Sequence, residues 1–233
     1  MTHLQGPERA RYVQGMFARI SARYDLMNRL MTGGRDKVWR REVIRLAQPG
    51  PHARLLDVAT GTGDILIEAL RQQPGVFAIG SDFTFEMMAT GQEKAGAERI
   101  GWNTADALQL PFPDNTFDAV TSGFGVRNFI DREQAFREQR RVVKPGGRVI
   151  CLEISKPPQN LLRPFFLLFF NKIVPFAGGL ISGQRDAYTY LPQSVNEFLT
   201  PDELKAIMER AGLREVRYKR LMMSTVAIHW AVK

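Results

Sequence analysis

A single cysteine, Cys151, among 233 residues excludes an internal disulfide framework and a multi-cysteine metal site, and it fits a reducing compartment. It falls inside the apolar run RVICLEI (148–154), where a buried core thiol is expected. Histidine is almost as scarce. His3, His52 and His229 lie near the start, in a proline turn and in a strand-like segment, so no metal cluster and no zinc or magnesium catalyst is expected. Long hydrophobic runs are missing too. The greasiest stretch, LLRPFFLLFFNKIVPFAGGLI (161–181), is cut by Arg163, Pro164, Asn171, Lys172 and Pro175, short of the ~18 uninterrupted apolar residues of a spanning helix. Its interruptions still suit an amphipathic surface that touches lipid. The opening residues lack an apolar core, so no secretory signal is expected. No repeat or low-complexity tract breaks the chain.

What is abundant is positive charge. Lys and Arg number 32 against 24 Asp and Glu, a formal net charge of +8. Residues 1–50 hold ten of the bases against four acids, so most of the excess sits at one end. Such an arm meets nucleic acid, an anionic membrane surface or an acidic ligand, or is simply a solvated face. The 44% hydrophobic content suits one soluble domain with a full core.

The spacing of apolar residues predicts helix over 8–47, broken at Thr32-Gly33-Gly34. From residue 53 strands alternate with helices. ARLLDVA, VFAIGSD, ERIGWNT, FDAVTSG and RVICLEI read as strands; DILIEALRQQ, TFEMMATGQEKA and DREQAFREQRRVV read as helices. That alternation predicts an α/β fold with a parallel sheet covered on both faces. KPGG (144–147) reads as the turn that ends a helix and starts a strand. Residues 156–198 leave the rhythm and read as a helical insertion. In TPDELKAIMERAGL, Thr200 is a good N-cap with Pro201 at N1 and Glu203 at N3, and Gly212 ends the helix. REVRYKRL and TVAIHWAVK read as a final hairpin at the sheet edge. One domain over 1–233 is expected, with a cap at 1–47, a ligand-binding core at 53–155, a lid at 156–198 and a closing helix and hairpin at 199–233.

LLDVATGTGD (55–64) carries the first chemistry. Asp57 ends a strand, Thr60-Gly61-Thr62-Gly63 turns, and Asp64 starts a helix. Ligands of open α/β sheets bind outside the carboxyl ends of the strands, where glycine lets backbone come close. The third glycine of a dinucleotide fingerprint is absent and no GK[ST] follows, which disfavours a pyrophosphate or a phosphate loop. Two carboxylates repel phosphate and favour a ligand with cationic or donor groups, such as S-adenosylmethionine. Asp82 ends the second strand, placed for ribose hydroxyls, and Asp106 follows the third, near where adenine would lie. Each acid alone also reads as a cap or a solvated loop residue.

The chain resembles the bacterial quinone C-methyltransferases of menaquinone and ubiquinone biosynthesis. MFARISARYDLMNRLMTGGRDKVWRR, LLDVATGTGD, the long run from LPFPDNTFDAV through FGVRN to LEISKP, and ISGQRDAYTYLPQSVNEF carry the resemblance, which covers nearly the whole chain. It implies a class I methyltransferase fold, a Rossmann-like seven-stranded sheet whose last strand is antiparallel, with S-adenosyl-L-methionine as donor. Donor contacts carried over by resemblance fall on Thr62, Asp82, Asp106 and Ala107. With the turn residues, the expected donor set is Asp57, Thr60, Gly61, Thr62, Gly63, Asp82, Asp106, Ala107 and Ser122. Gly123 stands where the family has a serine, and Ser122 is the neighbour that would replace it.

The acceptor implied by the resemblance is a hydroquinone ring with a polyprenyl tail, methylated on a ring carbon: demethylmenaquinol, or alternatively 2-polyprenyl-6-methoxybenzoquinol. Arg127 would stabilise a phenolate, since arginine stays protonated and is a poor base. Asn128 and Tyr24 would hold ring oxygens, and Glu153 would accept a proton or pair with Lys156 or Arg127. Asn128 reads equally as the cap of the following helix. A cytoplasmic enzyme at the inner face of the membrane follows from a lipid-soluble acceptor. The sequence allows a homodimer but carries no residue argument for one. The competing class is a nucleic-acid-binding protein or RNA methyltransferase, resting on the net charge. Where an N-methylating site would carry Asn/Asp-Pro-Pro-aromatic, this chain reads SGFGVRN, so no nucleic-acid partner is expected.

Overall fold

The computed structural model describes residues 6–156, 163–176, 179, 185–196 and 198–233; those parts of the insertion at 157–162, 177–178, 180–184 and 197 lie outside the described residues. Its centre is a seven-stranded sheet in the order β3-β2-β1-β4-β5-β7-β6. The strands are β1 (Arg54–Val58), β2 (Phe77–Asp82), β3 (Ile100–Thr104), β4 (Phe117–Gly123), β5 (Val143–Ile154), β6 (Arg214–Leu221) and β7 (Val226–Val232). β1 to β5 run parallel, and β7 inserts antiparallel between β5 and β6. The order reverses between β1 and β4, which opens a crevice at their carboxyl ends.

Both faces are covered, and the strands carry the signature of that environment. Leu55, Leu56, Val120, Ile150, Cys151 and Leu152 are buried without alternation. One layer packs Phe117, Phe136, Leu204 and Met208; the other packs Val43, Ile44, Leu66 and Ile228. The helices are α1 (Gly6–Thr32), α2 (Asp36–Ala47), α3 (Asp64–Gln72), α4 (Phe85–Gln92), α5 (Arg132–Val142), α6 (Arg163–Leu168), α7 (Arg185–Asn196) and α8 (Pro201–Arg210). Thr200 closes the expected capping box with Glu203 at the start of α8.

One expected turn is corrected. β5 begins at Val143, directly after α5, so KPGG lies inside the strand. The register against β4 shifts between Phe117 and Ala119, and that irregularity absorbs the glycine pair without a separate loop.

A third apolar cluster sits above the carboxyl ends of the strands. Val13, Met16, Ile20 and Met27 of α1 pack with Phe170, Val174, Ala187, Tyr190 and Val195 from the insertion. The cap and the insertion, far apart in sequence, therefore share one core over the crevice.

Candidate active site

The crevice is a cleft of about 890 Å³ at the ends of β1, β2 and β4, roofed by α1. Val58, Ala59, Gly61, Asp82, Ala105, Asp106, Ala107, Gly123 and Gly125 form its floor; Ala10, Val13, Phe17 and Tyr24 form its roof. Gly63 has φ +74°, and a Cβ there would stand 2.5 Å from the Trp102 ring. Only glycine allows the turn to lie flat on that indole.

Asp82 organises the floor. One carboxylate oxygen accepts the Gly61 N–H at 2.7 Å and the other accepts the Thr84 N–H at 2.7 Å. Burial raises its pKa, against these backbone donors. Asp106 accepts the Leu108 N–H at 2.9 Å and borders the cleft with Ala107. An acid braced by backbone on one side of an apolar cleft suits the hydroxyls of a nucleoside, and the small residues around it leave room for the rest. The donor set thus fits S-adenosylmethionine.

The other expected donor residues are placed differently. Asp57 is 1% exposed and accepts the Thr121 hydroxyl at 2.7 Å across the β1–β4 pair. Burial pushes its pKa up to about 7; bonded to Thr121 inside the sheet, it braces the switch point and does not line the cleft. Thr62 donates to Asp25 of α1 at 2.7 Å. Thr60, Gly63 and Ser122 lie behind the wall. Ser122 is wholly buried, while Gly123 faces the cleft, where a Cβ would come within 2.6 Å of the Ile65 methyl.

Asp64 and the cap explain the acids flanking the turn. Lys94 bridges Asp25 and Asp64 at 2.5 Å each, and Arg40 reaches Asp64 at 3.2 Å. The basic arm neutralises part of the strand-end charge itself. Asp25, Arg40 and Lys94 were not legible as site residues, because separations of 24 or more residues carry no local pattern.

On the β4 side lies a second polar group. Arg127 is 4% exposed and donates to Glu153 at 2.9 Å; its backbone N–H also reaches Glu153 at 3.1 Å, and its guanidinium reaches the Phe124 carbonyl. Burial works against its charge, but Glu153, Tyr24 and Tyr190 together outweigh that and raise the pKa. Glu153 pairs with Arg127, one of its two expected partners, and also accepts the Ile154 N–H. Tyr24 is raised by burial, with Arg127 and an Asn28 hydrogen bond opposing, so it stays a neutral phenol. Asn128 lines the cleft and accepts the Tyr190 hydroxyl at 3.1 Å. It is not the α5 cap: Asp131 is, accepting the Gln134 N–H at 2.9 Å. Tyr190, from the insertion, is the partner that sequence reasoning missed.

A buried donor-type floor joined to a phenol-and-guanidinium wall meets a family match at this point. The model of the ubiE/COQ5 methyltransferase family matches residues 5–233. The chain belongs to that family. It is a methyltransferase, and S-adenosylmethionine is its methyl donor. It is 45% identical to a demethylmenaquinone methyltransferase of Roseiflexus castenholzii over 97% of this chain and 95% of the relative. It is 41% identical to a ubiquinone/menaquinone biosynthesis C-methyltransferase of Desulfotalea psychrophila over 95% and 90%. The fold matches a methyltransferase structure from Thermotoga maritima with TM-score 0.66 at 17% identity, covering 94% of this chain and 99% of that one. Among the described residues no group of His, Cys, Asp and Glu could hold a metal, and no helix is long and apolar enough to cross a membrane.

Proposed function

We propose that this methyltransferase acts on a ring carbon of a polyprenylated hydroquinone, demethylmenaquinol giving menaquinol, with the 2-polyprenyl-6-methoxybenzoquinol reaction as the alternative acceptor. The observation that carries the reading is the polar group beside the donor floor, in which Tyr24 and Asn128 line the cleft and the buried Arg127–Glu153 pair and Tyr190 stand behind them. It offers neutral and cationic donors to phenolic oxygens in an otherwise apolar space. The names of the relatives support the same class of acceptor.

S-adenosylmethionine, when bound, supplies an electrophilic methyl group. Asp82, Asp106, Ala107 and Gly61 would hold it from the cleft wall, and Asp57, Thr60, Thr62, Gly63 and Ser122 would act from behind by shaping the turn. A hydroquinone carbon becomes nucleophilic as its phenol loses a proton. Arg127, kept charged by Glu153, favours the phenolate, and the effect grows because the guanidinium is buried. Tyr24 and Asn128 fix the ring by its oxygens, so that positioning supplies much of the rate. Glu153, engaged by three N–H groups, serves this reading as the counter-charge of Arg127.

The tail keeps such an acceptor in the bilayer. Leu168, Ile173 and Phe176 are exposed on 163–176 beside the exposed Lys172, and Leu26 and Leu30 are exposed on basic α1. In this reading the cap at 1–47 and the insertion at 156–198 meet the cytoplasmic face of the membrane, with the lysine and arginines adding attraction to anionic lipid. Quinone profiling of a strain lacking the enzyme tests the function: accumulation of the ring-demethylated naphthoquinone supports the first acceptor, the benzoquinone precursor supports the second, and an unchanged quinone profile refutes both.

A further inference from the structure

Three arginines meet where the cap, the end of the insertion and the loop after β4 come together, and only one of them has a carboxylate. Arg127 pairs with Glu153. The other two, Arg9 of α1 and Arg132 at the first position of α5, both donate to the Arg127 carbonyl, Arg9 Nη2 at 3.5 Å and Arg132 Nη2 at 3.1 Å. The acids nearby are committed elsewhere. Asp131 caps α5, and Glu133 pairs with Arg137 and Arg210. Among the described residues no carboxylate stands within ion-pair distance of Arg9 or Arg132.

Such a group is costly as it stands. Two like charges brought to one oxygen repel each other, and more strongly where water is partly excluded. Both residues are half-buried. Burial, and then Arg9, lower the Arg132 pKa, with Glu153 and Tyr190 opposing. Arg132 also stands at the N-terminus of α5, where the helix dipole favours an anion over a cation. The pair is nevertheless held in place. The Arg132 guanidinium lies over the Phe198 ring, 5.3 Å from its centroid, and the shared carbonyl ties it to Arg9. Arg9 Nε and the Nη1 of both residues have no partner among the described residues and, unlike Arg132 Nε, keep accessible surface. Two fixed forks with free N–H groups match an anion that offers several acceptor oxygens. Neither arginine lines the donor cleft, although their neighbours Ala10, Asn128 and Ile130 do, so the anion they take is separate from the donor.

We propose that Arg9 and Arg132 form a binding site for a phosphate ester beside the donor cleft, its oxygens bridging the two guanidiniums. The site goes beyond the methyl-transfer reading and requires no particular acceptor. Two sources supply that chemistry. One is the headgroup of an anionic phospholipid, which would seat the start of the cap on a bilayer; Ile130, 44% exposed close by, fits that source. The other is a soluble phosphate ester.

Two arms of one experiment separate them. In the soluble arm, thermal unfolding is followed in glycerol 3-phosphate and in chloride at equal ionic strength. The phosphate ester should stabilise the parent more, and saturably, as a ligand of the folded state does. Arg9→Gln and Arg132→Gln should each abolish the excess. In chloride, Arg9→Gln should melt no lower than the parent, because a repelling charge goes and only a 3.5 Å contact is lost; a merely structural arginine would melt lower. Arg132→Lys keeps the charge without the planar fork and should weaken phosphate affinity roughly fivefold. In the lipid arm, flotation with phosphatidylglycerol vesicles compares two double variants of equal net charge. Arg9→Gln with Arg132→Gln should lower the bound fraction's partition roughly tenfold, and Arg217→Gln with Arg220→Gln, on exposed β6, by less than about twofold. Selective loss in the lipid arm supports the site with a headgroup as its ligand. Loss confined to the soluble arm supports it with a soluble ester. If glycerol 3-phosphate stabilises the parent no more than chloride does and the two double variants float alike, the site is overturned. Should Arg132→Gln fail to fold, Arg9→Gln alone decides in both arms.

Discussion

Arg127→Ala is the substitution that sequence reasoning would choose to separate chemistry from fold, and the structure changes what it must do. The Arg127–Glu153 pair is 4% and 1% exposed, so neither charge has water to fall back on. Removing the guanidinium leaves the Glu153 carboxylate with two backbone N–H partners and no counter-charge. Breaking such a pair costs about 3–5 kcal/mol, against a total stability on the order of 5–15 kcal/mol. The carbonyl of Phe124 loses its donor in the same step. Glu153→Gln, which strands the charge on the other partner, should cost a similar amount. The combination Arg127→Met with Glu153→Gln removes both charges and should lose less than the sum of the single changes by about 2–3 kcal/mol. Urea unfolding measures this. With a slope of about 2 kcal/mol per molar, each single change should lower the midpoint by about 1.5–2.5 M. Single-turnover methyl transfer, corrected for the folded fraction and at saturating donor, should fall a further hundred- to thousandfold, roughly, in Arg127→Ala and in the double variant. Additive losses in the cycle, or a midpoint shift below about 0.5 M, would refute the charge coupling. A parental rate in folded Arg127→Ala would remove Arg127 from catalysis and leave it a brace.

Asp82→Asn should weaken S-adenosylmethionine binding by about 1.5–3 kcal/mol, because a charged acceptor is lost and an amide donor faces the Gly61 or Thr84 N–H; unchanged calorimetric affinity would exclude it from the site. Asp57 binds a proton more tightly folded (about 7) than unfolded (3.8), so its favourable contribution is complete below pH ~4 and is lost as pH rises through ~7. Asp57→Asn should therefore gain stability relative to the parent by on the order of 1.4 kcal/mol per pH unit over that window, and equal pH slopes in denaturation would contradict this. Asp25→Ala should free Thr62 and leave Lys94 to Asp64 alone, loosen α1 from the glycine turn and raise donor Kd and off-rate together, read by stopped-flow binding; an unaltered off-rate would show that α1 does not hold the turn. In liposome flotation the protein should favour anionic over neutral vesicles, with binding that falls as salt rises; equal binding to both would sink the electrostatic part of the membrane reading.

The strand and helix order was legible because local patterns encode it. Apolar runs such as LLDV and VICLEI fill a sheet buried on both faces, and Thr200-Pro201-x-Glu203 writes the start of α8 in four residues. The floor residues Gly61, Asp82, Asp106 and Ala107 were legible for the same reason: in a parallel sheet, the ends of consecutive strands meet at one edge. Direction was not. Asp57 and Ser122 sit in the right motif but turn into the sheet, since adjacent strand residues face opposite sides and only packing against Thr121 or Ile65 decides which side is free. The partners of the polar groups were also beyond local pattern. Asp25 reaches Thr62 across 37 positions and Tyr190 reaches Asn128 across 62, while Arg127–Glu153, across 26, was one of two pairings the sequence left open and packing chose. Charge, composition and motif fixed which residues could do the chemistry; the folding of the cap and the insertion onto one shared core decided which of them face each other, because a hydrogen bond depends on direction and distance that sequence spacing does not carry.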